Sequence, residues 1–196
     1  IKLAAIGDRW ELRVRGVTVT PGYWRNAGAT AAAFDEEGFF KTGDAAELLD
    51  PDDPSRGIVF AGRIAENFKL SSGTWVNVGA IRLALLEAGA PLIADVVLTG
   101  ADRDELGALV FTSSSDANAT STRTRLHEIL ADHNARNPSS SGRIARALIL
   151  HGAPNAAVGE ITDKGSVNQS RVLSNRRNDV ERLYTQPPDN DVIVLR

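Results

Sequence analysis

The chain has 196 residues, 42% of them hydrophobic, and 22 Lys and Arg set against 25 Asp and Glu give a formal net charge of −3. That balance excludes a disordered chain and a strongly basic nucleic-acid binder. The absence of cysteine excludes disulfides, thiolate metal sites and a cysteine nucleophile, and three histidines (His127, His133 and His151) do not make a histidine-rich metal site, so no metal ligand is assigned.

In chain order, the alternation in Trp10-Glu-Leu-Arg-Val-Arg15 predicts a half-buried strand, which Gly16 and Pro21-Gly22 close with turns. A short alanine-rich helix is expected over 27–34, then a turn at Glu36-Glu37-Gly38. Residues 47–50 and 58–60 read as a hairpin pair around the polar loop 51–57. After Gly62-Arg63 the pattern changes: Val78, Ile81, Leu85 and Leu86 recur at helical spacing and predict an amphipathic helix over 78–88. The apolar runs 95–99 and 106–111, joined by the polar segment 100–105, predict strand, turn, strand. A helix over 122–136 carries Leu126, Ile129, Leu130 and His133 on one face, and a strand over 143–150 follows the loop 137–142. One last helix is expected over 168–184 with Val172, Leu173, Val180 and Leu183 inward, and the tail 185–196 is expected to be extended. The fold class is therefore α+β, a small sheet with packed helices. No apolar run approaches bilayer length and no charged-then-apolar leader opens the chain, so a cytoplasmic location is the expectation. A chain without methionine that opens at Ile1 in a running strand reads as a piece of something longer.

Three constellations offer chemistry. Lys41-Thr-Gly-Asp44 presents a carboxylate that can accept hydrogen bonds from two neighbouring hydroxyls, as on a ribose; taken alone it reads as an aspartate closing an ordinary turn. Gly62-Arg63 through Lys69 and Leu-Ser-Ser-Gly73 lies where the strand-rich pattern gives way to the helix-rich one, which marks a domain boundary. Ser71-Ser-Gly-Thr74 lacks the lysine of a phosphate loop and is followed by the bulky Trp75, so that role is rejected. Gly159-Glu-Ile-Thr-Asp-Lys164-Gly165 is a polar turn whose lysine can serve as a mobile point charge for carboxylate and phosphate oxygens, or can simply be solvated.

In order and spacing these segments resemble the adenylate-forming (AMP-binding) superfamily of acyl-CoA synthetases, peptide-synthetase adenylation domains and luciferases. Glu11-Leu-Arg-Val-Arg-Gly16, Thr20-Pro-Gly-Tyr-Trp24, Gly38-Phe39-Phe40, Lys41-Thr-Gly-Asp44, Gly62-Arg63 with Lys69 and Gly73, and the late Lys164 carry the resemblance over nearly the whole chain. The wording Val19-Thr-Pro-Gly-Tyr-Trp-Arg-Asn26, Asp50-Pro-Asp-Asp-Pro-Ser-Arg-Gly57, Phe68-Lys-Leu-Ser-Ser-Gly-Thr-Trp-Val76 and Gly159-Glu-Ile-Thr-Asp-Lys-Gly165 is most similar to feruloyl-CoA synthetases.

The resemblance implies residues 1–62 as the end of a large N-terminal domain and 63–196 as the family's mobile C-terminal domain. It implies a ligase of ATP (as Mg-ATP), an aromatic carboxylic acid and coenzyme A, incomplete in this chain because the phosphate loop and acid pocket are absent from it. Alternatives within the resemblance are a fatty-acyl ligase, a carrier-loading adenylation domain, or a module that keeps the fold without catalysis. Asp44 would hold the ribose hydroxyls, Arg63 would support the nucleotide, and Lys164 would bridge the substrate carboxylate and the α-phosphate. Lys69 and Gly73 would face the thiol arm of coenzyme A. The family pivots just after the Gly-Arg pair; Ala65 departs from the polar residue many relatives carry there, with Glu66 or Asn67 as substitutes.

Overall fold

Four strands, β1 (Lys2–Ile6), β2 (Arg9–Val14), β3 (Phe40–Leu48) and β4 (Ile58–Arg63), pair in that order into an antiparallel sheet. The two-residue turn Gly7-Asp8 joins the first two, with Gly7 at φ 61°, a conformation that glycine adopts without Cβ strain. Helix α1 (Ala27–Ala33) starts where Asn26 Oδ1 accepts the Ala29 N–H at 2.9 Å. In this computed structural model, which describes residues 1–113 and 120–195, these elements make up the first of two units, Ile1–Ala65 and Glu66–Arg196.

Strand β2 inverts the burial that its alternation implies: Trp10 is 51% exposed while Glu11 is 6% exposed. The cause is a polar network. Arg13 Nε lies 2.7 Å from Glu11, Arg13 Nη1 lies 3.0 Å from Asp35, and Lys2 Nζ reaches the same Asp35 carboxylate at 2.8 Å. A fully partnered carboxylate tolerates burial.

The second unit opens with the short hairpin β5 (Phe68–Lys69) and β6 (Trp75–Val76), then α2 (Val78–Gly89). Asn77 caps α2 through the Ala80 N–H, and the buried Asn67 accepts the Val78 N–H at 2.9 Å, so Asn67 serves the helix start. The main sheet runs β10-β9-β8-β7, from β7 (Ile93–Thr99), β8 (Leu106–Thr112), β9 (Ile144–Ile149) and β10 (Val192–Val194). Only β8 and β9 are parallel, as befits a crossover through α3 (Thr120–Arg136).

Apolar side chains cover both faces of this sheet. Val96, Leu98, Ala108, Val110, Ala147 and Ile149 face the layer of α2 and α3 with Leu85, Leu126 and Leu130. Val97, Leu109, Phe111 and Leu148 face the other layer, with Val172 and Leu183. Because successive residues point to opposite faces, burial on both faces gives continuous apolar runs in place of alternation. No helix among the described residues is long and apolar enough to cross a membrane.

Two expectations are corrected. The last helix is two: α4 (Gln169–Asn175) and α5 (Arg177–Tyr184), separated at Arg176, whose φ −100° and ψ 30° leave the helical region. The tail is not merely extended, since β10 pairs antiparallel with β9 and buries Val192 and Ile193, joined by the buried Leu195; Arg196 lies outside the described residues.

Candidate functional site

Asp44 sits inside β3, not beyond it, at a distortion built by its neighbours. Gly43 takes φ 73°, and the register slips on both sides, between Glu11 and Arg13 against β2 and between Asp44 and Ala46 against β4. Such bulges re-aim a side chain out of the ladder. A Cβ at Gly43 would come only to 3.7 Å from Arg63 Nη1, so the backbone conformation, not space, calls for glycine. Three hydrogen bonds hold the distortion: Thr42 Oγ1 donates to the Leu12 carbonyl at 2.6 Å and accepts the Asp44 N–H at 3.1 Å, and Glu11 Oε1 accepts the Gly43 N–H at 3.1 Å.

Arg63, at the end of β4, is the register partner of Asp44. Its Nη1 lies 2.9 Å from Asp44 Oδ1 and donates to the Thr42 carbonyl at 2.9 Å. Both side chains stay open to solvent, Arg63 at 50% and Asp44 at 29%. Among the described residues no hydrogen bond engages Asp44 Oδ2, which leaves a carboxylate oxygen for a ligand's hydroxyl groups.

Lys69 and Gly73 share the β5–β6 hairpin. The Gly73 N–H donates to the Leu70 carbonyl at 2.8 Å, and Leu70 N–H to the Thr74 carbonyl at 3.0 Å. Gly73 lies at φ 80°, and nothing stands within 4 Å of where its Cβ would be. Lys69 Nζ lies 5.0 Å from the centre of the Trp75 ring, within cation–π range. The hairpin is tied to the 100–105 turn by Ser71 N–H to the Arg103 carbonyl at 2.9 Å and Asp102 N–H to the Lys69 carbonyl at 3.0 Å.

Lys164 occupies a hairpin of its own. Ile161 and Val167 form its bridge, the Gly165 N–H donates to the Thr162 carbonyl at 2.8 Å, and Gly165 takes φ 80° behind the Asp163-Lys164 tip. The lysine is exposed and, among the described residues, makes no ion pair. The base of the hairpin is the opposite. Glu160 is 1% exposed and receives Arg176 through two bonds, Nε to Oε1 at 2.9 Å and Nη2 to Oε2 at 3.1 Å, plus the Asn155 N–H at 2.8 Å. The Arg176 guanidinium holds the Glu160 carboxyl below the usual carboxylate range, against burial, which opposes that shift.

The structure thus pairs Asp44 with Arg63 and places Lys69 with Gly73. The residues that sequence reading missed are Glu11, Glu160 and Arg176. Glu11 falls on the polar side of an alternating strand, and Glu160 and Arg176 sit in polar stretches that read as surface; the one local cue is Glu160 directly after Gly159, which takes the left-handed conformation at φ 78°. Among the described residues no three His, Cys, Asp or Glu side chains converge on a possible metal ion.

Residues 66–187 match the family described as AMP-binding enzyme C-terminal domain. The chain belongs to that family. The adenylation domain of carboxylic acid reductase from Segniliparus rugosus, solved with AMP and a carboxylic acid, superposes with a TM-score of 0.75 at 23% identity, over 95% of this chain and 31% of that one. This likeness shows the α+β fold of the C-terminal part of adenylate-forming enzymes. The long-chain-fatty-acid–[acyl-carrier-protein] ligase AEE15 of Arabidopsis thaliana chloroplasts is 24% identical over 91% of this chain and 26% of its own length. The long-chain-fatty-acid–CoA ligase FadD15 of Mycobacterium tuberculosis is 37% identical over 54% of this chain and 16% of its own length. The chain spans less than a third of each of these proteins. The family is one of ATP-using, AMP-forming acid–thiol ligases.

Proposed function

We propose that the chain is the C-terminal part of an ATP-dependent ligase that adenylates an aromatic, hydroxycinnamic-type acid and passes the acyl group to coenzyme A. The first unit is read as the end of the large domain and the second as the mobile domain that serves the two half-reactions in turn. One observation carries this reading: Lys164 stands exposed and without an ion-pair partner, among the described residues, on a hairpin whose base is a buried, doubly bonded ion pair. A cation so presented suits a reaction in which two anions must approach.

In the first half-reaction a carboxylate oxygen of the acid attacks the α-phosphorus of ATP, and the bond to pyrophosphate breaks. The ammonium of Lys164, placed between the two anions, offsets their repulsion. Loss of one such preorganised charge donor costs about 3–4 kcal/mol, or roughly 10²–10³ in rate. Asp44, with one oxygen on Arg63 and one open, is assigned the ribose hydroxyls, which fixes the α-phosphate by fixing the sugar. In the second half-reaction a thiol sulfur attacks the acyl carbonyl and AMP leaves; Lys69 and Gly73 are assigned to the thiol's approach. No residue of this chain is assigned to magnesium, which would accompany ATP through its phosphates.

The wording of the four segments that resemble feruloyl-CoA synthetases supports an aromatic acid. The two fatty-acid ligases among the relatives favour a second reading, a long-chain acid with coenzyme A or a carrier protein as acceptor. ATP–pyrophosphate exchange by the full-length ligase, run with cinnamic, benzoic and long-chain fatty acids, separates the two. Exchange with ferulic or a related cinnamic acid exceeding that with fatty acids by about tenfold or more, about 1.4 kcal/mol in transition-state binding, is the expected result. Exchange with fatty acids alone contradicts the aromatic assignment.

A further inference from the structure

Glu11 and Glu160 are the only buried Asp or Glu residues among the described residues, and each is bonded at the base of a segment that presents a candidate site residue, a strand bulge for Glu11 and a hairpin for Glu160. Glu11 binds the N–H of Gly43, next to Asp44. Glu160 is the better enclosed. Its side chain is 1% exposed and all its acceptor oxygens are engaged, by Arg176 twice and by the Asn155 N–H. Its backbone closes the same knot, with Glu160 N–H donating to the Asn155 carbonyl at 3.0 Å and Asn168 N–H donating to the Glu160 carbonyl at 2.8 Å. Asn168 in turn caps α4 through the Arg171 N–H. The Lys164 hairpin therefore leaves the domain at two residues, Glu160 and Asn168, bonded to each other and pinned to the α4–α5 break.

The break itself has no glycine or proline to cause it. Arg176 leaves helical geometry at the residue whose guanidinium engages Glu160, and α5 begins without a side-chain cap. Satisfying a buried carboxylate thus takes precedence over helical continuity at this point. A surface loop needs no such anchor to stay folded, whereas a loop that must hold a charge at one place in a site does.

We propose that Glu160, through its pair with Arg176, is a positioning residue for Lys164. The proposal rests on the reading of Lys164 given above and extends it. The pair fixes the direction in which the hairpin projects, so its loss reaches the chemistry only through the lysine. It touches neither nucleotide nor acid, and the thiol step, assigned to the Lys69–Gly73 hairpin, does not depend on it.

The test uses the full-length ligase with Glu160→Gln, Lys164→Ala and the double variant, each assayed for ATP–pyrophosphate exchange and for thiol transfer from a supplied acyl adenylate. Glu160→Gln is expected to lower kcat of exchange by about tenfold or more while KM for ATP and the thiol step stay within about twofold, and to cause no further loss in the Lys164→Ala background. Equal loss in both half-reactions, unchanged exchange, or an additive loss in the double variant overturns the proposal. Arg176→Lys, which keeps the charge but not the two-pronged geometry, should show the same split more weakly, and it decides the matter if Glu160→Gln does not fold. Failure of both variants to fold also overturns it, since the pair would then serve the fold and not the aim. If Lys164→Ala alone leaves exchange intact, the reading of the lysine fails first, a result distinguishable from failure of the Glu160 role.

Discussion

A glycine in the left-handed region is kept either for its backbone or for the room it leaves, and Gly73 satisfies both conditions at φ 80° with open space beyond its Cα. Asparagine tolerates that conformation better than other side chains. Gly73→Asn therefore adds bulk with little backbone strain, and the assignment of this turn to the thiol's approach predicts an uneven result. Thiol transfer should fall by about tenfold or more, while pyrophosphate exchange stays within about twofold. Normal thiol transfer in that variant would remove the hairpin from the thiol's route. At the same scale, legibility followed chemistry. Asp44, Arg63 and Lys164 could be read as candidates because the order and spacing of the motifs that hold them resemble a known family, although Asp44 and Arg63 lie in strands and only Lys164 on a turn. Glu11 and Glu160 could not, because the same residue type means solvent or a buried anchor depending on partners distant in the chain, such as Gly43 and Arg176.

At the level of elements, the strands β7, β8 and β9 were readable because burial on both faces writes unbroken apolar runs. The α4–α5 break was not, because helical spacing continues across it: Val172, Leu173, Val180 and Leu183 keep their apolar pattern while Arg176 departs for a tertiary reason. Strand β10 escaped because three residues carry little pattern of their own, and its place is set by β9. The ion pair at the break has a pH signature. Arg176 holds the Glu160 carboxyl below its ordinary value of 4.5, so between those values the native state binds fewer protons than the unfolded chain. Its contribution to stability is present above the unfolded value and is lost as pH falls through the folded one. Urea unfolding should show wild type exceeding Glu160→Gln in stability near pH 7, with the gap narrowing as pH falls below about 4.5. A gap that does not change with pH would mean the pair is not held as an ion pair in the native state.

For the molecule as a whole, the α+β class was legible from helix and strand periodicity and the family from motif order, while the acid was not, since no segment of this chain was read as an acid pocket. The first unit carries Asp44 beside Arg63 on a bulged strand, and the second carries the Lys69–Gly73 turn and Lys164 on two separate hairpin projections. Separate projections fit separate half-reactions. The central claim is thus that Lys164 acts in adenylation and not in thiol transfer, and Lys164→Ala in the full-length ligase tests it directly. Pyrophosphate exchange should fall by roughly 10²–10³ while thiol transfer from a supplied adenylate stays within about twofold. Equal loss of both activities, or exchange at the wild-type rate, would contradict the account.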